Sequence, residues 1–200
     1  MTPTSPRQQA SRRNVRVVAF LLVLGLFAGG CTRGGAAPLG GVAALPDGPP
    51  PAGTTYAEPP DGRPTAPVFD LELPDGQVVD AATLWQDRAV VLSFVASWCT
   101  LCQRQQAELS AIAREYGDRV TFLGIAGDET PEDLQAFLRE HDVPYAVGID
   151  PTLDVWLRYG VEEPPLIAFV TRGGQLVRGH PGGLEGAAVR EIIDEVLLAE

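Results

Sequence analysis

The stretch Ser97-Trp98-Cys99-Thr100-Leu101-Cys102 decides how the rest of the chain reads. The apolar, strand-like run Ala89-Val90-Val91-Leu92-Ser93-Phe94-Val95 leads into it. An amphipathic helical pattern leaves it, with Leu109, Ile112, Ala113 and Tyr116 at helical spacing. Two thiols therefore stand where a strand ends and a helix begins. A thiol there feels the positive end of the helix dipole and unpaired backbone N–H groups, and both favour the nucleophilic thiolate. Two intervening residues on a helical turn let the second thiol close a small disulfide with the first, a reversible two-electron switch.

Three plainer readings compete. Half of a zinc site would need further ligands from His141, His180 or a carboxylate, and none stands at a recognisable spacing. A purely structural disulfide closing so short a loop restricts the unfolded chain little. Two thiols buried in a core remain open. The strand-to-helix context together with the spacing favours redox chemistry.

Trp98-Cys99-Thr100-Leu101-Cys102 after an apolar strand resembles the active-site signature of thioredoxin-like proteins. The resemblance runs from about Ala66 to about Leu198 and is greatest to the TlpA/ResA-like extracytoplasmic thiol–disulfide oxidoreductases. It implies that Cys99 is the attacking thiol, Cys102 the resolving thiol and Trp98 the flanking tryptophan of the motif. Pro165, preceded by Tyr159-Gly160-Val161 and followed by an apolar strand, matches the cis-proline that faces the disulfide in this fold. The alternative is an ordinary loop Pro-Pro. In this fold the residue before the cis-proline offers backbone N–H and C=O to a bound peptide; here it is Pro164, which has no N–H. Other departures stand out. Gln105 and Ala107 replace the family's frequent Glu and Pro, and Ser93 stands where thioredoxin has a buried Asp. Glu108 is expected on a different helical face. Thr100-Leu101 matches no common dipeptide, so the direction of electron flow stays open.

The chain has 200 residues, enough for one domain with appendages, and only three cysteines. Every basic residue is Arg, and the net charge is −11. Residues 1–30 carry Arg7, Arg12, Arg13 and Arg16 and no acid, so without them 11 basic residues face 26 acidic ones, a net −15. Nucleic-acid binding is not expected of such a surface.

Residues 1–31 read as an export signal: arginines, an apolar run from Val17 to Ala28, then small residues. The run is shorter than the ~20 residues that span a bilayer. Ala28-Gly29-Gly30-Cys31 resembles a lipobox, which implies a lipid anchor on Cys31, although Ala28 stands where that signal usually has Leu. Plain secretion and an uncleaved anchor are the alternatives, and all three place the cysteine pair outside the cytoplasm. Residues 32–66, rich in Gly, Pro and Ala, read as a disordered tether.

The folded domain is expected over 67–200. Val68–Leu73 and Val78-Val79 around Pro74-Asp75-Gly76-Gln77 predict an N-terminal hairpin, and Ala81–Trp85 one helical turn. Strands are expected at Val90–Val95, Val120–Ala126, Val143–Ile149, Leu166–Val170 and Gln175–Arg178. Helices are expected at Cys99–Tyr116, from Thr130-Pro131 towards His141, at Asp154–Tyr159, and through Val189, Ile192, Ile193, Val196 and Leu197. That order is α/β: the thioredoxin fold, a central mixed sheet flanked by helices, with a helix–strand insertion near 130–150.

Three functions follow. The first is disulfide exchange with exported proteins, apocytochrome c among the substrates the family implies, fed by a membrane thiol–disulfide carrier. The second is a peroxiredoxin-like peroxidase, against which Phe94–Trp98 lacks the Thr and Pro that precede a peroxidatic cysteine. The third is a copper- or thiol-binding module, for which a placed His ligand is missing. No cofactor and no metal site are expected.

Overall fold

The structure is a computed structural model that describes residues 37–59 and 61–199. Expectations for 1–36, including the signal and Cys31, lie outside the described residues.

β3 (Ala89–Val95) is the centre, with all seven residues buried. β4 (Val120–Gly127) and β5 (Ala146–Asp150) continue the sheet in parallel on one side. β6 (Leu166–Val170) and β7 (Leu176–Pro181) follow antiparallel on the other, giving the order β5-β4-β3-β6-β7. A strand buried on both faces needs apolar side chains at successive positions, which is why this run does not alternate. Val91 and Val95 point into the core beneath α2 (Thr100–Tyr116), α3 (Pro131–Glu140) and α5 (Gly186–Ile192). Val90, Leu92 and Phe94 point into the opposite core, built with the hairpin β1 (Asp70–Glu72) and β2 (Val78–Asp80), α1 (Ala81–Asp87) and α4 (Asp154–Arg158). This is the thioredoxin fold.

Local chemistry starts the helices as read. Asp80 caps α1 by accepting the Ala82 N–H at 2.8 Å. Thr130 caps α3 by accepting the Asp133 N–H at 3.1 Å, with Pro131 in the first turn. Two boundaries differ from expectation. β5 begins at Ala146, since Val143 and Tyr145 are buried without a ladder partner. The terminal helix widens into a π turn at Ile193–Leu197, closed by the Leu198 N–H on the Ile193 carbonyl, as Leu198 leaves to pair with Tyr56.

The expected disordered tether is corrected over its described part, which lies on the domain. Gly40 accepts the Val147 N–H at 3.0 Å on the β5 edge. The Arg88 guanidinium donates to the Gly48 carbonyl at 2.9 Å, and the Tyr56 hydroxyl to the Arg119 carbonyl at 2.7 Å. Pro64 accepts the Leu176 N–H on the β7 edge. The composition argument holds for a segment that must build its own core. A strap that docks on a finished surface needs only scattered anchors, and prolines reduce the entropy it loses.

Candidate active site

Cys99 is the N-cap of α2, and its sulfur accepts the Cys102 N–H at 3.0 Å. Cys99 and Cys102 form a disulfide, with both residues almost completely buried. The Pro164–Pro165 peptide bond is cis, and the Pro164 carbonyl oxygen lies 3.5 Å from the Cys99 sulfur. Pro165 is buried and lines a void of about 20 Å³ beside Cys102, room for a single water. Trp98 is 55 % exposed rather than packed, its indole N–H donating to the Asp128 carbonyl at 3.1 Å. The fold thus brings Trp98, Cys99, Cys102, Pro164 and Pro165 together at one end of β3 and β6.

Glu129 braces the loop, and sequence reading missed it. Its carboxylate accepts the Ser97 N–H at 2.6 Å and the Ser97 hydroxyl at 2.8 Å. Gln103 donates to the Ser97 carbonyl at 2.6 Å. No local spacing announces a partner 32 residues away. The signal was topological: β3 and β4 run parallel with Val95 opposite Ala126, so the residues just beyond each strand must meet.

Beneath Cys102 the polar groups are neutral but for one. Ser93 and Gln106 line the same void as Cys102. Gln106 donates to Tyr145 at 2.8 Å and to Ser110 at 3.1 Å. Burial pushes the Tyr145 phenol up to about 12, against hydrogen bonds from Gln106 and Ser93 that pull it down. Glu108, expected on another face, also lines this void and is its one carboxylate; it pairs with Arg190 at 3.6 Å.

The two histidines stand apart from this chemistry. His141 is the C-cap of α3, its ring 4.6 Å from that of Phe137. His180, read as a loop residue, belongs to β7 opposite Ile167. Burial, then Arg178, lowers its pKa, and its Nε2 is buried without a hydrogen-bond partner. Among the described residues, no group of three or more His, Cys, Asp or Glu could hold a metal ion.

Comparison with known proteins agrees with this geometry. The chain is 24% identical over 110 residues to the thiol-disulfide oxidoreductase ResA of Halalkalibacterium halodurans, covering 54% of this chain and 62% of that protein. It is 31% identical over 103 residues to the thiol:disulfide interchange protein DsbE of Allochromatium vinosum, covering 51% and 56%. These alignments span less than two thirds of either relative. The crystal structure of the exposed lipoprotein thioredoxin Etrx1 of Streptococcus pneumoniae superposes with a TM-score of 0.58, at 28% identity, over 65% of this chain and 100% of that one. The profile of the AhpC/TSA family matches residues 63–190, from the last residues of the strap through the hairpin, the cysteine pair and Pro165 into α5, and the chain belongs to that family.

Proposed function

We propose that this protein is an extracytoplasmic thiol–disulfide oxidoreductase acting on exported proteins through Cys99 and Cys102. One observation carries the reading: a bridged pair at the head of α2, with the Cys102 amide 3.0 Å from the Cys99 sulfur. Once the bridge is reduced, that amide and the helix N-terminus favour Cys99 as thiolate. The Cys99 thiolate attacks a substrate disulfide. A Cys99–substrate S–S bond forms, the substrate bond breaks, and the departing thiolate takes a proton. Deprotonated Cys102 then attacks Cys99, restoring the Cys99–Cys102 bridge and releasing the second substrate thiol. Two electrons and two protons pass to the substrate, and a membrane thiol–disulfide carrier supplies them again. The reverse sequence oxidises a substrate dithiol.

In this reading Trp98, Pro164 and Pro165 wall the approach to Cys99, and apocytochrome c thiols are among the substrates. Cys31 carries a lipid that anchors the domain at the outer face of the cytoplasmic membrane. The lipobox-like Ala28-Gly29-Gly30-Cys31 and the lipoprotein nature of the pneumococcal relative support that part. Among the described residues, no helix is long and apolar enough to cross a membrane. The family match makes a thiol peroxidase the second reading, which the absence of Thr and Pro from Phe94–Trp98 disfavours. The test is insulin reduction beside peroxide consumption and copper(I) titration. Insulin reduction that requires both cysteines is expected; peroxide turnover without it would replace this reading.

A further inference from the structure

Among the described residues, seven large apolar side chains are exposed, and three of them, Trp98, Leu153 and Leu157, line one groove of about 460 Å³. Pro164 forms part of its wall and also holds its carbonyl 3.5 Å from the Cys99 sulfur, so the groove runs up to the reacting atom. Around the apolar side chains stand Asp128, Asp154, Glu162 and Glu163, all exposed, and no lining residue is basic. The nearby Arg158 is turned away, its guanidinium on the Val68 carbonyl at 2.8 Å. One wall is held by a hydrogen bond. The Trp98 indole is bonded to Asp128, and Leu153 and Asp128 hold left-handed backbone, at φ 59 and 52, which non-glycine residues rarely adopt.

We propose that this groove selects polypeptide substrates in which the reactive cysteine is flanked by a bulky apolar residue and by Lys or Arg. The inference rests on the oxidoreductase reading and names its substrate class. The apolar side chain covers Trp98 and Leu157, and the cation sits among the acids. Together these hold the substrate sulfur beside Cys99. Glu163 directly precedes Pro164 and Glu162 stands one residue further back, so the pair lies towards the Cys99 end of the groove.

The test uses the dithiothreitol-reduced protein, freed of excess reductant. Its substrates are short peptides whose single cysteine is a mixed disulfide with 2-mercaptoethanol, flanked by Leu and Lys, by Leu and Glu, or by Ser alone. At low salt the Leu/Lys peptide should react roughly tenfold faster than the Leu/Glu peptide, through KM, since exposed pairs are individually weak and several act together. At about 0.5 M salt the ratio should fall to about twofold. The double variant Glu162→Gln, Glu163→Gln should compress it to about threefold at low salt. Leu157→Ser should slow the Leu/Lys peptide relative to the Ser-flanked one. Equal rates for all peptides, or a preference that neither salt nor the variants alter, would overturn the groove. Bis(2-hydroxyethyl) disulfide separates the two claims. If it is reduced while the peptides tie, only the groove falls; if it is inert too, the oxidoreductase reading falls and this one with it.

Discussion

Replacing Pro164 by Thr adds one backbone donor beside Cys99 and leaves Pro165 in place. Pro164 lines the groove that leads to the Cys99 sulfur, and its carbonyl is already drawn to within 3.5 Å of that sulfur. As a proline it has no N–H to offer a passing chain. An extended peptide lying there therefore forgoes one backbone hydrogen bond, whose net worth is about 0.5–1.5 kcal/mol. At 1.4 kcal/mol per factor of ten, Pro164→Thr should raise kcat/KM for a peptide disulfide by roughly two- to twelvefold. The substitution also frees the unfolded chain at a cost of about 0.4–1 kcal/mol in stability, too little to unfold a typical domain. The assay compares a peptide disulfide with bis(2-hydroxyethyl) disulfide, which has no backbone to pair and should react as before. Equal acceleration of both substrates, or of neither, would refute the reasoning, because a missing donor can affect only a substrate with a backbone acceptor.

Glu129→Ala removes two charge-assisted hydrogen bonds and strands the Ser97 N–H, so stability should fall by about 1–3 kcal/mol, read as a shift of the denaturant midpoint. The raised Tyr145 pKa means that the folded state holds the phenol proton more tightly than the unfolded one. Its contribution, roughly 2–3 kcal/mol, is intact below pH ~10 and lost as pH rises towards about 12; Tyr145→Phe should flatten the alkaline limb of the stability profile. A chain starting at Arg63 should be less stable than one starting at Gly35 by about 2–4 kcal/mol, because the bonds of Gly40, Gly48, Tyr56 and Ala57 to the domain are lost; equal melting temperatures would return the strap to a free tether. Metabolic labelling with a fatty-acid analogue should mark the wild type and not Cys31→Ser; no label on the wild type, or label persisting in the variant, would remove the lipid anchor.

Features set by neighbouring residues were legible in the sequence. The run Ala89–Val95 and the cysteine spacing located β3 and the head of α2, and Thr130-Pro131 located the start of α3. Pro165 was legible only through the resemblance to thioredoxin-like proteins. What depends on tertiary pairing was hidden. Glu129 reaches Ser97 only because β3 and β4 lie side by side. The strap looked unfoldable because its anchors, Leu45 and Tyr56, pack on cores built elsewhere in the chain. The residues Val143–Tyr145 read as strand because a buried apolar run resembles one whether or not it finds a ladder. His180 was lost among the glycines and prolines around it, which signal a turn even at the end of an edge strand.

The central claim is that Cys99 attacks and Cys102 resolves. The most direct test is to trap the mixed disulfide by mass spectrometry after mixing Cys102→Ser with a peptide disulfide. The account predicts a stable peptide adduct on Cys99, none on Cys99→Ser under the same conditions, and none that persists on the reduced wild type. An adduct that forms on Cys102 in Cys99→Ser as fast as on Cys99 in Cys102→Ser, or no adduct on either variant, would contradict it.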